Sequence, residues 1–159
     1  MLKKLVLFLA LAITVFATWK CSKSDSGGCT SVLPQAEDAA MQQYMTTAGI
    51  TGTKDPSGLY YQIIDPGTGS APTINSRVYV KYAGKLTNNT QFDAQTDPLQ
   101  TGWALSGLIQ GWQIGIPKIK RGGKIKLVVP SSLGYGCKAI TGIPANSILV
   151  FDVELVDFN

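Results

Sequence analysis

The 159-residue chain contains no histidine and three cysteines, Cys21, Cys29 and Cys137. Without an imidazole there is no Ser-His-Asp or Cys-His nucleophile, no histidine-ligated zinc and no histidine general base. What remains is fourteen aromatic residues and ten acids, among them Asp93 directly beside Phe92. Taken singly, such aromatics suit a core as well as a pocket, and Asp93 suits a turn or strand end. A basic stretch, Lys118, Lys120, Arg121, Lys124 and Lys126, could address an anionic partner. However, Lys124 and Lys126 alternate with Ile125 and Leu127, the pattern of a half-buried strand showing its cations to solvent.

The cysteines must be read with the N-terminus. Lys3 and Lys4 precede an apolar run over residues 5–16, too short for a comfortable membrane span and suited to a secretory signal. Two cleavage readings stay open. One is an ordinary site after Ala17; the other makes Cys21 the first mature residue, lipidated and followed by a polar tether over 22–28. The second arrangement resembles bacterial lipoproteins with a loose lipobox, of the Bacteroidetes type. Removing residues 1–20 takes away Lys3, Lys4 and Lys20, so the net charge falls from +4 to +1 and no nucleic-acid partner is expected. With Cys21 acylated, Cys29 and Cys137 are either a disulfide pair in an oxidising compartment or two free thiols.

Hydrophobic residues make up 45% and charged residues 15% of the chain, which excludes a disordered polyelectrolyte. The expected organisation is a signal at 1–20, a lipidated tether at 21–33, a helix and linker at 34–57, and one folded domain at 58–159. The spacing predicts a helix over 34–47, opened by Pro34 with Glu37 and Asp38 in its first turn and stopped near Gly49. Its expected apolar stripe is Ala36, Ala40, Met41 and Tyr44. Strands are expected at 59–64, 77–82, 90–93, 124–129 and 148–156, with Asn88-Asn89 as a tight turn. Residues 108–115 predict two helical turns ended by Pro117. A helix this short persists only inside a sheet, so the expected class is α+β, a curved antiparallel sheet around one short central helix.

Several ordered motifs resemble those of the FK506-binding-protein (FKBP) type of peptidyl-prolyl cis-trans isomerase. They are Val80-Lys81-Tyr82-Ala83-Gly84, Phe92-Asp93, Leu108-Ile109-Gln110-Gly111-Trp112, and Gly122-Gly123 before a strand ending at Pro130. Leu133-Gly134-Tyr135-Gly136, Ile143-Pro144-Ala145-Asn146-Ser147 and the closing run from Leu149 to Leu155 complete them. The resemblance runs from about Gly58 to Asn159 and is nearest to exported bacterial members.

That resemblance implies a site residue by residue. Trp112 would floor a proline pocket, and Tyr82, Phe92 and Phe151 would wall it, with Leu108, Ile109 and Ile143 at the rim. The Ile109 N–H and the Tyr135 hydroxyl would donate to substrate carbonyls, and the Gly107 carbonyl would accept. Asp93 would orient Tyr82 rather than transfer protons. Trp103 stands where a phenylalanine is usual, Ile140 where polar residues are usual, and Ala145 where a second proline is frequent. The implied ligands are proline-containing unfolded or extended polypeptides and FK506-like macrolides, with no metal and no cofactor. The implied setting is a monomer, exported and held by its lipid at a membrane of a Gram-negative bacterium.

Overall fold

The computed structural model describes residues 29–159. The expected signal, its cleavage site and the lipidation residue Cys21 lie outside the described residues. Among the described residues, no helix is long and apolar enough to cross a membrane.

The elements run in the order α1 (Pro34–Thr47), β1 (Thr53–Lys54), β2 (Tyr60–Asp65), β3 (Arg77–Leu86), β4 (Gln91–Gln95), β5 (Trp103–Ala104), α2 (Gln110–Gly115), β6 (Lys124–Val129) and β7 (Leu149–Phe158). The strands form one antiparallel sheet in the order β1-β2-β6-β7-β3-β4, and β5 pairs with β3. Register shifts interrupt β2 at Ile63/Asp65 and β3 at Tyr79/Val80 and Gly84/Lys85. Such irregularities bend strands and increase twist, which lets the sheet wrap. Asn89, at φ 67, makes the turn between β3 and β4, where Asn tolerates a left-handed backbone.

Strand alternation divides the interior into two layers. Leu127 and Val129 of β6 and Leu149, Phe151, Val153 and Leu155 of β7 face one side, where they bury Trp112 and Ile116. Val128 and Val150 face the other side and meet Met41 and Met45 of α1, with Tyr60. The sheet is therefore sandwiched between the two helices.

Helix α2 lies directly on β6. A Cβ on Gly111 would stand 2.5 Å from Val129 Cγ1, and one on Gly115 2.6 Å from Leu127 Cδ2. A side chain at either position, one turn apart, would have to displace Val129 or Leu127. The helix also starts later than expected, at Gln110, because Leu108 and Ile109 are extended (ψ 171° and 148°). Pro117 does not end the helical path. It sits early in a 3-10 turn over Ile116–Lys118, where its missing N–H costs no hydrogen bond.

The buried stripe of α1 differs from the expected one. Glu37, Met41 and Met45 are buried, Tyr44 is half-buried, and Ala36 and Ala40 face solvent. The longer methionines reach the sheet where alanines would leave a gap. Glu37 is tolerated inside because its carboxylate accepts the Ser131 N–H at 2.8 Å. Asp38 completes the dock by accepting the Tyr60 hydroxyl at 2.9 Å and pairing with Lys54 at 2.6 Å.

The basic stretch is largely neutralised within the fold. Lys118 pairs with Asp55 at 2.8 Å, Arg121 with Asp157 at 2.5 Å, Lys124 with Glu154 at 3.8 Å, and Lys126 with Asp152. Cys29 and Cys137 are bonded, with Cα atoms 5.3 Å apart and a sequence separation of 108. Closing so long a loop stabilises by roughly 4 to 5 kcal/mol in the chain-entropy model.

Two measurements check this description. The denatured, unacylated chain should show one reactive thiol before reduction and three after; three before reduction would contradict the Cys29–Cys137 bond. Lys118 and the Ser57 N–H hold the Asp55 carboxyl down from 3.8 to about 2. A carboxylate with a depressed folded pKa stabilises above its unfolded value and loses that contribution as pH falls through the folded one. The stability difference between wild type and Asp55→Asn should therefore be constant above about pH 4 and shrink towards pH 2. A difference that stays flat over that interval would show that the pair contributes nothing.

Candidate functional site

Seven segments converge on a cavity of about 260 Å³ on the α2 side of the sheet. Tyr82 comes from β3, Phe92 and Asp93 from β4, and Trp103 from β5. Leu108 and Ile109 come from the extended approach to α2, Trp112 from α2 itself, Tyr135 from the loop after β6, and Phe151 from β7. The sheet register explains the convergence, because Gly84 lies between Asp93 on one neighbour and Phe151 on the other. A Cβ on Gly84 would stand 2.7 Å from the Phe92 ring and 2.8 Å from Phe151. The missing side chain lets those rings meet edge to face, with centroids 5.7 Å apart at 86°.

Trp112 is 4% exposed and forms the floor. Its ring meets Tyr82 at 5.1 Å and 84°, and Phe151 at 5.4 Å and 85°. Tyr82 meets Trp103 at 6.0 Å and 63°. Edge-to-face contacts of this kind hold each ring through the quadrupoles of its neighbours and fix the shape of the cup. The Trp112 indole N–H is buried without a hydrogen-bond partner among the described residues.

The polar groups are few and linked. The Tyr82 hydroxyl donates to Asp93 Oδ2 at 2.6 Å. Burial pushes the Tyr82 pKa far above its usual value, and the hydrogen bond to Asp93 pushes it further. Burial also raises Tyr135, with the Asp93 charge adding to it. Both hydroxyls therefore remain protonated donors at neutral pH, and Asp93 acts as an acceptor that orients Tyr82. Among the described residues, no cluster of three or more Cys, Asp or Glu could hold a metal ion.

Nine of the twelve residues expected in the site thus line one cavity. Gly107, Ile140 and Ile143 are not among its lining residues. Gly107 ends the 3-10 turn over Leu105–Gly107. Ile143 is 3% exposed and packs in the core with Trp112 and Phe151. Ile140 is 42% exposed and exchanges backbone hydrogen bonds with Ile143 across a small turn. Gly111 serves close packing of α2 on β6.

Two contributors were not read from the sequence. Gln113 donates through Nε2 to the Leu108 carbonyl at 2.7 Å and the Ser106 carbonyl at 3.2 Å, tying down the segment that presents Leu108 and Ile109. A polar residue five positions past Leu108 carries no distinctive signal. Gly84, quoted only as a motif letter, proves to be the space into which two rings fold.

Residues 69–156 match a family model described as FKBP-type peptidyl-prolyl cis-trans isomerase. The chain is 47% identical over 110 residues to the FKBP-type peptidyl-prolyl cis-trans isomerase FkpA of Escherichia coli K12, a match that covers 67% of this chain and 40% of that protein. A protein of the same name from Buchnera aphidicola (Schizaphis graminum) is 44% identical over 121 residues, covering 74% and 46%. The chain spans less than half the length of these curated relatives. Among solved structures, FkpA from Escherichia coli superposes with a TM-score of 0.67 at 37% identity, covering 79% of this chain and 61% of that one. A peptidyl-prolyl cis-trans isomerase from Pseudomonas syringae pv. tomato superposes with a TM-score of 0.67 at 29% identity, covering 82% and 98%. The motifs, the sheet wrapped on α2 and a family match over more than half of its length agree: this chain belongs to the FKBP-type peptidyl-prolyl cis-trans isomerase family.

Proposed function

We propose that this protein is a peptidyl-prolyl cis-trans isomerase acting on X-Pro bonds of unfolded or extended polypeptides during folding of exported proteins. The observation that carries the reading is the cavity itself, an aromatic cup over Trp112 with Asp93 and two protonated hydroxyls at its polar side.

The reaction asks for little else. Rotation about the peptide bond meets a barrier of about 18–20 kcal/mol because amide resonance is lost in the twisted state. Unaided, prolyl isomerisation takes on the order of 10–100 s. Millisecond turnover needs roughly a 10⁵-fold acceleration, about 7 kcal/mol. No bond is broken, so no nucleophile or general base is needed. Water stabilises the planar, charge-separated amide, and a pocket that excludes water withdraws that stabilisation. The proline ring rests on Trp112 between Tyr82, Phe92 and Phe151. The Ile109 N–H and the Tyr135 hydroxyl hold the flanking carbonyls, and the Tyr82–Asp93 pair keeps one polar wall in a fixed orientation. Binding the twisted amide better than the planar one lowers the barrier.

The finer setting rests on sequence features. Cys21, after an apolar run and before a polar tether, supports a lipid anchor at a Gram-negative membrane, and the packing of α1 on its own sheet supports a monomer there. The same cup has the apolar character that an FK506-like macrolide needs.

The full chain should accelerate isomerisation of a short X-Pro peptide in a protease-free assay. Trp112→Ala should lower kcat/KM by about 100-fold and Asp93→Ala by about 10-fold. Unchanged rates in both would mean the pocket is misassigned, and wild-type activity equal to buffer would leave a proline-binding module without turnover. Cells fed a labelled fatty acid should label the wild type and not Cys21→Ala; a variant still labelled and membrane-bound would remove the anchor.

A further inference from the structure

Residues 29–37 lie well before the family-matching segment that begins at 69, yet they are fastened to the loop between β6 and β7. Cys29 is bonded to Cys137. The Ser31 hydroxyl donates to Cys137 Sγ at 3.5 Å and lies 3.2 Å from where a Cβ on Gly136 would stand. Asn146 Nδ2 donates to the Thr30 carbonyl at 3.3 Å. Glu37, 7% exposed, accepts the Ser131 N–H where the 3-10 turn Ser131–Leu133 begins.

The fastened loop carries Tyr135, among the described residues the only wall of the cavity contributed by a segment other than the sheet, α2 and the approach to α2. Tyr135 is flanked by Gly134 and Gly136, the latter at φ 59, and glycine neighbours leave a backbone many alternatives. Within the loop, the Gly136 N–H donates to the Ser131 carbonyl at 2.8 Å, and the Gly136 carbonyl accepts from the Asn146 N–H at 2.8 Å. The arm grips two of those same residues, Ser131 through Glu37 and Asn146 through Thr30, and through Ser31 it reaches Cys137, the neighbour of Gly136. The covalent link falls two residues from Tyr135.

We propose that the arm formed by residues 29–37 is a positioning element of the site, holding Tyr135 against the cavity through the Cys29–Cys137 bond and the Glu37 carboxylate. The proposal rests on the isomerase reading for its kinetic consequence and on geometry alone for its structural one. When the arm is released, the loop spends only a fraction of its time with Tyr135 in place. Apparent substrate affinity falls by that fraction, whereas turnover from the assembled complex is retained.

The test uses the full chain with a short X-Pro peptide. Cys29→Ser and Glu37→Ala should each raise KM by about 3- to 10-fold with kcat held within about twofold. Glu37→Gln, whose amide oxygen still accepts the Ser131 N–H, should restore the wild-type value. Treating wild type with dithiothreitol, which becomes its cyclic disulfide as the bridge becomes two thiols, should reproduce Cys29→Ser. In a Tyr135→Ala background the Cys29→Ser effect should vanish, as coupling through that residue requires. Independently of turnover, amide hydrogen exchange over residues 133–138 should quicken by about tenfold in Cys29→Ser, with β3 and β7 unchanged. Unchanged loop exchange, an unchanged KM in an active protein, or a loss that persists in Tyr135→Ala would each overturn the proposal. Should wild type itself lack isomerase activity, the isomerase reading fails separately, and the exchange measurement alone decides whether the arm positions Tyr135.

Discussion

The site depends on how closely α2 sits on the sheet. Gly111 and Gly115 allow the helix backbone to approach the Val129 and Leu127 side chains with no atom to spare. That approach sets the depth of Trp112, whose ring then becomes the shared edge-to-face partner of Tyr82 and Phe151. A helix seated one side chain further out would lift the floor and remove the cup. Six residues of helix have no independent stability, so the same contact that shapes the cavity also makes the helix exist. Fold and site are thus one packing problem on this face of the sheet.

The opposite face solves a different problem. There α1 covers Tyr60, Val128 and Val150, while the uncovered part carries lysines and acids in opposed pairs across β3, β6 and β7. Exposed ion pairs stabilise weakly, but they leave little free positive charge for an anionic ligand. Period-two alternation along β6 and β7 is what keeps the two faces apart. One strand supplies Leu127 to the core beneath α2 and Val128 to the helix behind it. The N-terminal arm then joins the two sides, since Glu37 leaves the α1 layer to meet Ser131 beside the cavity loop.

Much of this was legible beforehand because it rests on local patterns. Alternation at 124–129 and 148–156, the Asn88-Asn89 turn and the Pro34 helix start each depend on neighbours within a few residues. The spaced aromatics became a site only through the order of several motifs, which a single residue such as Asp93 could not have carried. The misread parts share a cause. Ala36 and Ala40 fit the helical period as well as Glu37 and Met45 do, but only the distance to the sheet decides that long side chains are needed there. Ile140 and Ile143 stand three residues apart in one motif. A small turn buries one and exposes the other, and neither lines the cavity.

The sequence by itself determined the class of chemistry and the list of parts. A chain without histidine, with ordered aromatic motifs on alternating strands, can build an apolar cup and cannot build a conventional acid–base site. Tertiary structure decided which parts touch. It brought nine residues from seven segments to one cavity, packed Ile143 into the core, and joined Cys29 to Cys137 across 108 positions. The physical reason is range. Periodicity and turn chemistry act over a few residues, whereas a ring in a gap left by Gly84, or a bond beside Tyr135, depends on distances that only the closed sheet sets.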